Sequence, residues 1–179
     1  MLKTLLLVVL GLAVLAVAAV LLLATRQPDN FRVQRTTLVA APADRIYPLI
    51  ADLKQMNSWN PFVTRDANVK GSYSGPASGT GASYVFEGKK AGSGTLRITD
   101  TAVPTRVAMK LDMTAPMEAH NDVLFMLAPE GGATRVTWTM QGPSPFLGKV
   151  MGVVFSMDKM VGGAFEEGLA NLKIRAEGA

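Results

Sequence analysis

The chain has no cysteine and only one histidine, His120. The first absence excludes disulfides, thiolate metal sites and cysteine nucleophiles, and the second removes any site built from several imidazoles. Blocks of basic residues are also missing. The net charge of +4 is spread thinly, without interleaved arginines and aromatics, so nucleic acid is not an expected partner. Two glycine clusters, Gly75–Gly81 and Gly88–Gly94, could suggest a phosphate cradle. Neither follows a buried strand and opens a helix, as a phosphate loop must, so both read as hairpin turns. These absences leave no metal and no cofactor to expect.

Charge is absent altogether from Leu5 to Ala24, where every position but Gly11 is Ala, Val or Leu. At the helical rise such a run spans about 30 Å, the thickness of a bilayer's hydrocarbon core. A soluble helix needs a polar face, and this one has none. Residues 1–25 therefore read as a transmembrane anchor, 26–30 as a polar linker through Gln27-Pro28-Asp29-Asn30, and 31–179 as one folded domain. A cleaved signal is the competing reading. Lys3 gives it a positive start, but Val20-Leu21-Leu22-Leu23 continues the run beyond the small residues Ala16, Ala18 and Ala19. Arg26, Arg32 and Arg35, partly offset by Asp29, count toward a cytoplasmic domain. The short tail before a long apolar run is the layout of an exported, N-anchored protein, and on that ground the domain is expected on the outer, periplasmic side.

The remaining ~150 residues are one domain's worth, expected as a monomer. Phe31–Val39 alternates and is β-branched, as a strand requires. A helix follows, with Asp44 as its expected cap, Pro48 in its first turn, and Ile46, Leu49, Ile50 and Leu53 on one stripe. A second short helix over Leu53–Trp59 stops at Asn60-Pro61. Six strand-like runs, near 68–73, 82–88, 94–102, 106–113, 117–128 and 134–141, are joined by Gly- or Pro-bearing turns and argue for an antiparallel meander. Pro143 and Pro145 end the sheet. A last helix places Met157, Val161, Phe165, Leu169, Leu172 and Ala176 on one stripe. The fold class is α+β: a seven-stranded sheet, two short helices and one long helix.

The segments VAAPADRIYPLIADLKQMNSWNPF, YSGPASGTGASYVFEG, GSGTLRITD, GGATRVTWTMQG and MDKMVGGAFEEGLANLK resemble the polyketide cyclase/dehydrase branch of the START-like, Bet v 1-like superfamily. The resemblance covers nearly all of residues 31–177, with Pro48 a departure from the helix former usual there. It implies a helix-grip fold, in which a curved antiparallel sheet wraps the C-terminal helix and leaves an apolar cavity between them. It carries over no catalytic residue, because this branch has no invariant catalytic signature.

The residue pattern supports such an interior independently. With Glu130-Gly131 in the turn, Phe125 would face Val136 and Val123 would face Trp138. One face then carries Val123, Phe125, Leu127, Val136, Trp138 and Met140, and the other His120, Asp122, Thr137 and Thr139. Large residues also alternate at Tyr84/Phe86, Leu96/Ile98 and Met109/Leu111, while Phe165 and Leu169 come from the helix and Trp59 and Phe62 stand at the expected mouth. These are the candidate lining residues for a hydrophobic ligand, although they could equally fill a solid core. Glu118, His120 and Asp122 share the opposite face, where a solvated cluster is expected rather than an acid/base pair. Polar groups on the inner pattern are few: Tyr84, Asn121 and Asn57. That poverty favours a membrane-anchored protein that binds or transfers a lipid or other hydrophobic small molecule. The alternative is a cyclase or dehydratase in which a pocket Tyr, Asp or Asn polarises a polyketide-like substrate.

Overall fold

The computed structural model describes residues 2–154 and 157–178, leaving aside the side chains of Val154, Met157 and Met160. The uncharged N-terminal run is one helix, α1 (Leu2–Thr25), with its side chains exposed until Val20 and Ala24. Its length and composition are enough to cross a membrane. Strand β1 (Asn30–Val39) follows, then three short helices, α2 (Ala43–Ala51), α3 (Leu53–Asn57) and α4 (Pro61–Thr64).

Two details of this segment differ from expectation. Pro42, not Asp44, occupies the N-cap of α2, and Asp44 lies in the first turn, where its charge suits the helix dipole. Pro48 is consequently well inside the helix, where it removes one backbone donor. The helix ends three residues later and Pro48 still offers its carbonyl to the Asp52 amide, so the loss is confined to one turn. The chain also does not leave helical structure at Asn60-Pro61. Asp52 caps α3, and Asn60 caps α4 by accepting from the Phe62 amide at 3.2 Å. Pro61 then sits at the first helical position, which its fixed φ favours.

The meander is β2 (Lys70–Ser74), β3 (Ser83–Gly88), β4 (Gly92–Ala102), β5 (Arg106–Ala115), β6 (Ala119–Glu130) and β7 (Ala133–Pro143). All pairings are antiparallel, and β1 closes the series by pairing with β7, giving the order β1-β7-β6-β5-β4-β3-β2. The β6–β7 register is displaced by two residues from the expected one: Phe125 pairs with Trp138, Val123 with Met140 and Leu127 with Val136. The reason is the turn. Gly131 and Gly132 have φ of +56° and +84°, a left-handed pair that forms a two-residue loop between Glu130 and Ala133. A shift by two keeps every side chain on its own face, so the inner and outer sets stand as read.

A helix not anticipated from the sequence, α5 (Phe146–Val154), follows the sheet and packs on α1. The long helix α6 (Met157–Glu177) then lies across the inner face with Phe165, Leu169, Leu172 and Ala176 buried and Val161 half-buried. Met157, the first member of the expected stripe, has its side chain outside the described set. Arg35 of β1 clamps this helix. Its Nη1 and Nη2 donate to the two carboxylate oxygens of Asp158 at 2.8 and 2.9 Å, and its Nε to Glu166 at 2.5 Å. The paired guanidinium holds the Asp158 carboxyl below the usual carboxylate range. Gly162 makes room for this group, since a Cβ there would overlap the guanidinium.

Two glycines five residues apart on α6 should respond oppositely to alanine. At Gly163 an added methyl meets nothing, so Gly163→Ala should raise stability by about 0.5–1 kcal/mol through helix propensity. At Gly168 the methyl would lie 2.7 Å from the Trp138 ring and 2.9 Å from Pro61, so overpacking of about 1–3 kcal/mol should outweigh the same gain. Denaturant unfolding of the detergent-solubilised full chain checks the two signs.

Candidate functional site

Alternation along the strands turns one residue in two toward α6, and these residues build a single apolar layer. Tyr84 and Phe86 of β3, Leu96 and Ile98 of β4, Met109 of β5, Val123 and Phe125 of β6, and Trp138 and Met140 of β7 are all buried in it. Trp59 joins from the end of α3, and Phe165 and Leu169 from α6. Leu111 is half-buried at its margin. Phe62 differs from the rest: it stands on α4 with 41% exposure, touching the layer by its ring.

Trp138 is the centre of the layer. Phe165 stacks on it at 4.0 Å with the planes 9° apart, and Phe125 lies 4.9 Å away. Trp59 and Phe62 approach edge-on at 5.8 and 6.5 Å. Trp138 and Phe165, candidate lining residues that could equally fill a solid core, meet face to face here. Contact at stacking distance leaves no room between the rings, and Gly168 brings α6 close enough to make it. A second stack runs along the β2–β3 edge, with Tyr73 on Tyr84 at 4.7 Å and Tyr84 near Phe86 at 5.8 Å.

Three polar atoms within this apolar interior lack a partner among the described residues: Trp138 Nε1, Asn57 Oδ1 and Asn121 Oδ1. The contrast with Trp59 is informative, because its Nε1 donates to the Leu49 carbonyl at 2.8 Å. Asn57 spends its amide nitrogen on the Tyr73 hydroxyl at 3.0 Å, which leaves its oxygen free. Asn121 Oδ1 lies against Gly142, where a Cβ would collide with it. An unmet buried donor or acceptor costs about 1–3 kcal/mol, so each of the three is a place where a bound polar group would be stabilised. The sequence pattern singled out Asn57 and Asn121, but not the unmet indole nitrogen, since nothing in sequence tells which of two tryptophans finds a carbonyl.

Titratable groups are sparse here. Tyr84 is buried, and desolvation raises its phenol above the ordinary value, making it a poorer acid. Asp66 is buried too, but it is committed to the β3–β4 loop: Oδ2 accepts from the Lys90 and Ala91 amides at 2.8 and 3.2 Å, and Oδ1 from Asn68 at 3.2 Å. Those amides hold its carboxyl below the usual range.

The sheet's outer face carries the ionic residues. His120 Nδ1 lies 2.7 Å from Asp112 and Nε2 3.4 Å from Glu118, while Asp122 pairs with Lys110 at 2.7 Å. The hydrogen bond to Asp112, then that to Glu118, raises the imidazole pKa above 6.5. Among the described residues no group of three His, Asp or Glu is arranged to hold a metal ion. Two open hollows of about 520 and 540 Å³ also lie on this face, one over Lys70, Val85 and Thr95 and one over Arg32, Lys110 and His120.

Residues 30–177 match the family described as polyketide cyclase / dehydrase and lipid transport. Solved structures share the architecture. Protein CV1439 from Chromobacterium violaceum is 14% identical, with a TM-score of 0.58 over 84% of this chain and 99% of its own. The Aha1 dimer from Colwellia psychrerythraea is 17% identical, with a TM-score of 0.57 over 82% and 96%. A protein from Thermobifida fusca is 21% identical, with a TM-score of 0.57 over 81% and 92%. At these identities the likeness is one of fold. No curated protein matches the sequence.

Two outcomes test this geometry. Trp138→Ala should cost about 3–5 kcal/mol, the range for a fully buried aromatic, whereas Phe62→Ala at the exposed rim should cost much less; chemical unfolding measures both. Because His120 is the only imidazole, its NMR titration is unambiguous, and its midpoint should lie above 6.5 and fall in Asp112→Asn. A raised folded pKa means this pair stabilises fully below the unfolded value and ceases to do so as pH rises through the folded one.

Proposed function

Because the chain belongs to the polyketide cyclase/dehydrase and lipid transport family, we propose that it binds and transfers a lipid or other hydrophobic small molecule between the sheet and α6. In this reading α1 anchors the protein in a bilayer, and the domain, residues 31–179, works as a monomer on the outer side. The observation that carries the proposal is the set of unmet polar atoms inside an otherwise apolar layer, Trp138 Nε1, Asn57 Oδ1 and Asn121 Oδ1. A purely structural core tends to pair such atoms or do without them. A ligand with an apolar body, a carbonyl or similar acceptor for the indole N–H, and a hydroxyl for an asparagine oxygen would satisfy them.

Entry of the ligand requires the Trp138–Phe165 stack to part. Phe62 is placed for this role, since its ring touches both and is itself half in water. Parting the stack gives up about 0.5–1.5 kcal/mol of ring–ring contact together with the apolar area the rings bury, and a ligand's own apolar surface must replace that area. The lining set is thus Trp59, Phe62, Tyr84, Phe86, Leu96, Ile98, Met109, Leu111, Val123, Phe125, Trp138, Met140, Phe165 and Leu169. General acid–base catalysis needs a titratable group poised near neutrality beside the substrate. Tyr84, shifted upward, is poorly suited to it, so binding is favoured over a cyclase or dehydratase reaction.

Native mass spectrometry of the detergent-purified full chain should show a retained apolar molecule. Trp138→Phe keeps a ring but removes the N–H, so it should fold and retain less of that molecule, by about 5–10-fold for one hydrogen bond of ~1–1.5 kcal/mol. Phe62→Ala should hasten exchange of the bound molecule. A folded wild type that retains nothing and binds no fluorescent fatty acid would remove the carrier reading.

A further inference from the structure

The helix α5 has an unusual surface for its place in the fold. At 100° per residue, Phe146, Val150, Leu147 and Met151 fall within an arc of about 140°. Phe146, Leu147 and Met151 are 53%, 58% and 44% exposed, three large apolar side chains on one nine-residue helix. The other side of the wheel carries Gly148, Lys149 and Gly152. Lys149, the helix's one charge, is turned away from the apolar arc: its side chain is only 12% exposed and its Nζ lies 2.6 Å from Asp29 Oδ1. Such an arc facing water is unfavourable unless something covers it.

The position of α5 identifies the cover. It packs on α1, and the Ser144 amide just before it donates to the Asp29 carbonyl at 2.7 Å. Asp29 is four residues beyond Thr25, the last residue of α1, so the chain cannot carry this attachment more than ~14 Å from the helix end. With α1 about 36 Å long, its centre in the hydrocarbon core puts its C-terminal turn at the headgroup level. Of the side chains of α1 that lose exposure, Ala24 lies in the last turn and Val20 one turn deeper, inside the edge of the hydrocarbon core. We infer that α5 is an interfacial helix, lying in the surface of the bilayer that α1 enters, with Phe146, Leu147 and Met151 among the headgroups and acyl ends. This rests on reading α1 as an anchor. An amphipathic segment of this kind adds a second point of attachment and so fixes the domain's tilt, which a single linker cannot do. It also holds the β7 end of the sheet, where Gly142 meets Asn121, beside lipid.

The absence of cysteine makes the test direct, because any introduced cysteine is unique. The full chain is reconstituted in phosphatidylcholine/phosphatidylglycerol vesicles after labelling Leu147→Cys, Met151→Cys, Ile174→Cys or Leu12→Cys with a polarity-sensitive fluorophore. The labels at 147 and 151 should shift to the blue, be quenched by lipids spin-labelled near the headgroup, and resist aqueous iodide at least threefold better than the label at Ile174, which is 70% exposed on α6. The label at 12 should be quenched only by lipids labelled deep in the chain. Iodide access at 147 and 151 equal to that at 174, with 12 protected, would overturn the interfacial helix and leave the anchor standing. Access at 12 as well would overturn both. Efficient oxidative cross-linking of unlabelled Leu147→Cys chains at high lipid dilution would assign the face to a second copy of the chain and likewise overturn the inference.

Discussion

The stacking of Trp138 on Phe165 joins the two layers of this fold, and most other features are arranged around it. One ring comes from the middle of β7 and the other from the middle of α6, so the contact fixes how far the helix stands from the sheet. At 4.0 Å and nearly parallel, the rings allow no intervening side chain. The helix can come this close only where it has no Cβ, at Gly168, which lies against both the indole and Pro61. Arg35, the β1 residue paired with Trp138, grips Asp158 and Glu166 of the same helix. Aromatic contact and ionic clamp thus act side by side on the same face of α6.

This arrangement makes the interior dense around Trp138 but poorly satisfied in polar terms. Trp59 and Trp138 are both buried in one aromatic cluster, yet one indole nitrogen reaches a carbonyl and the other does not. The difference follows from position. Trp59 stands in the turn after α3 and near the Leu49 carbonyl, whereas Trp138 sits mid-strand, where its neighbours' backbone groups already serve the ladder. A protein that accepts a hydrophobic guest with a polar end gains from such an imbalance, because the guest then supplies what the empty fold lacks.

The α1 end of the molecule forms a second organised region. Asp29 is bonded through both its carbonyl and its carboxylate, to the Ser144 amide and to Lys149. The stretch after α1 is thereby tied to the segment after β7, two parts of the chain more than a hundred residues apart. The same end carries the termination of β7, the unpartnered Asn121 oxygen beside Gly142, and the apolar arc of α5.

The sequence by itself determined what depends on local pattern. The uncharged run from Leu5 to Ala24 has the length and composition of a spanning helix, and the alternation in most of the strands and the apolar stripe of α6 each carry a period that one secondary structure satisfies. The inner and outer faces of the sheet could therefore be read, even though the β6–β7 register was displaced by two, because a period of two is insensitive to such a shift. The tertiary structure decided what depends on distance between segments far apart in the chain. That includes whether Trp138 faces a void or a ring, which tryptophan nitrogen finds a partner, and that Arg35 reaches Asp158. It also includes α5, whose single charge is neutralised by Asp29 from the far end of the chain. Local periodicity sets which way a side chain points; only the packed fold sets what it meets there.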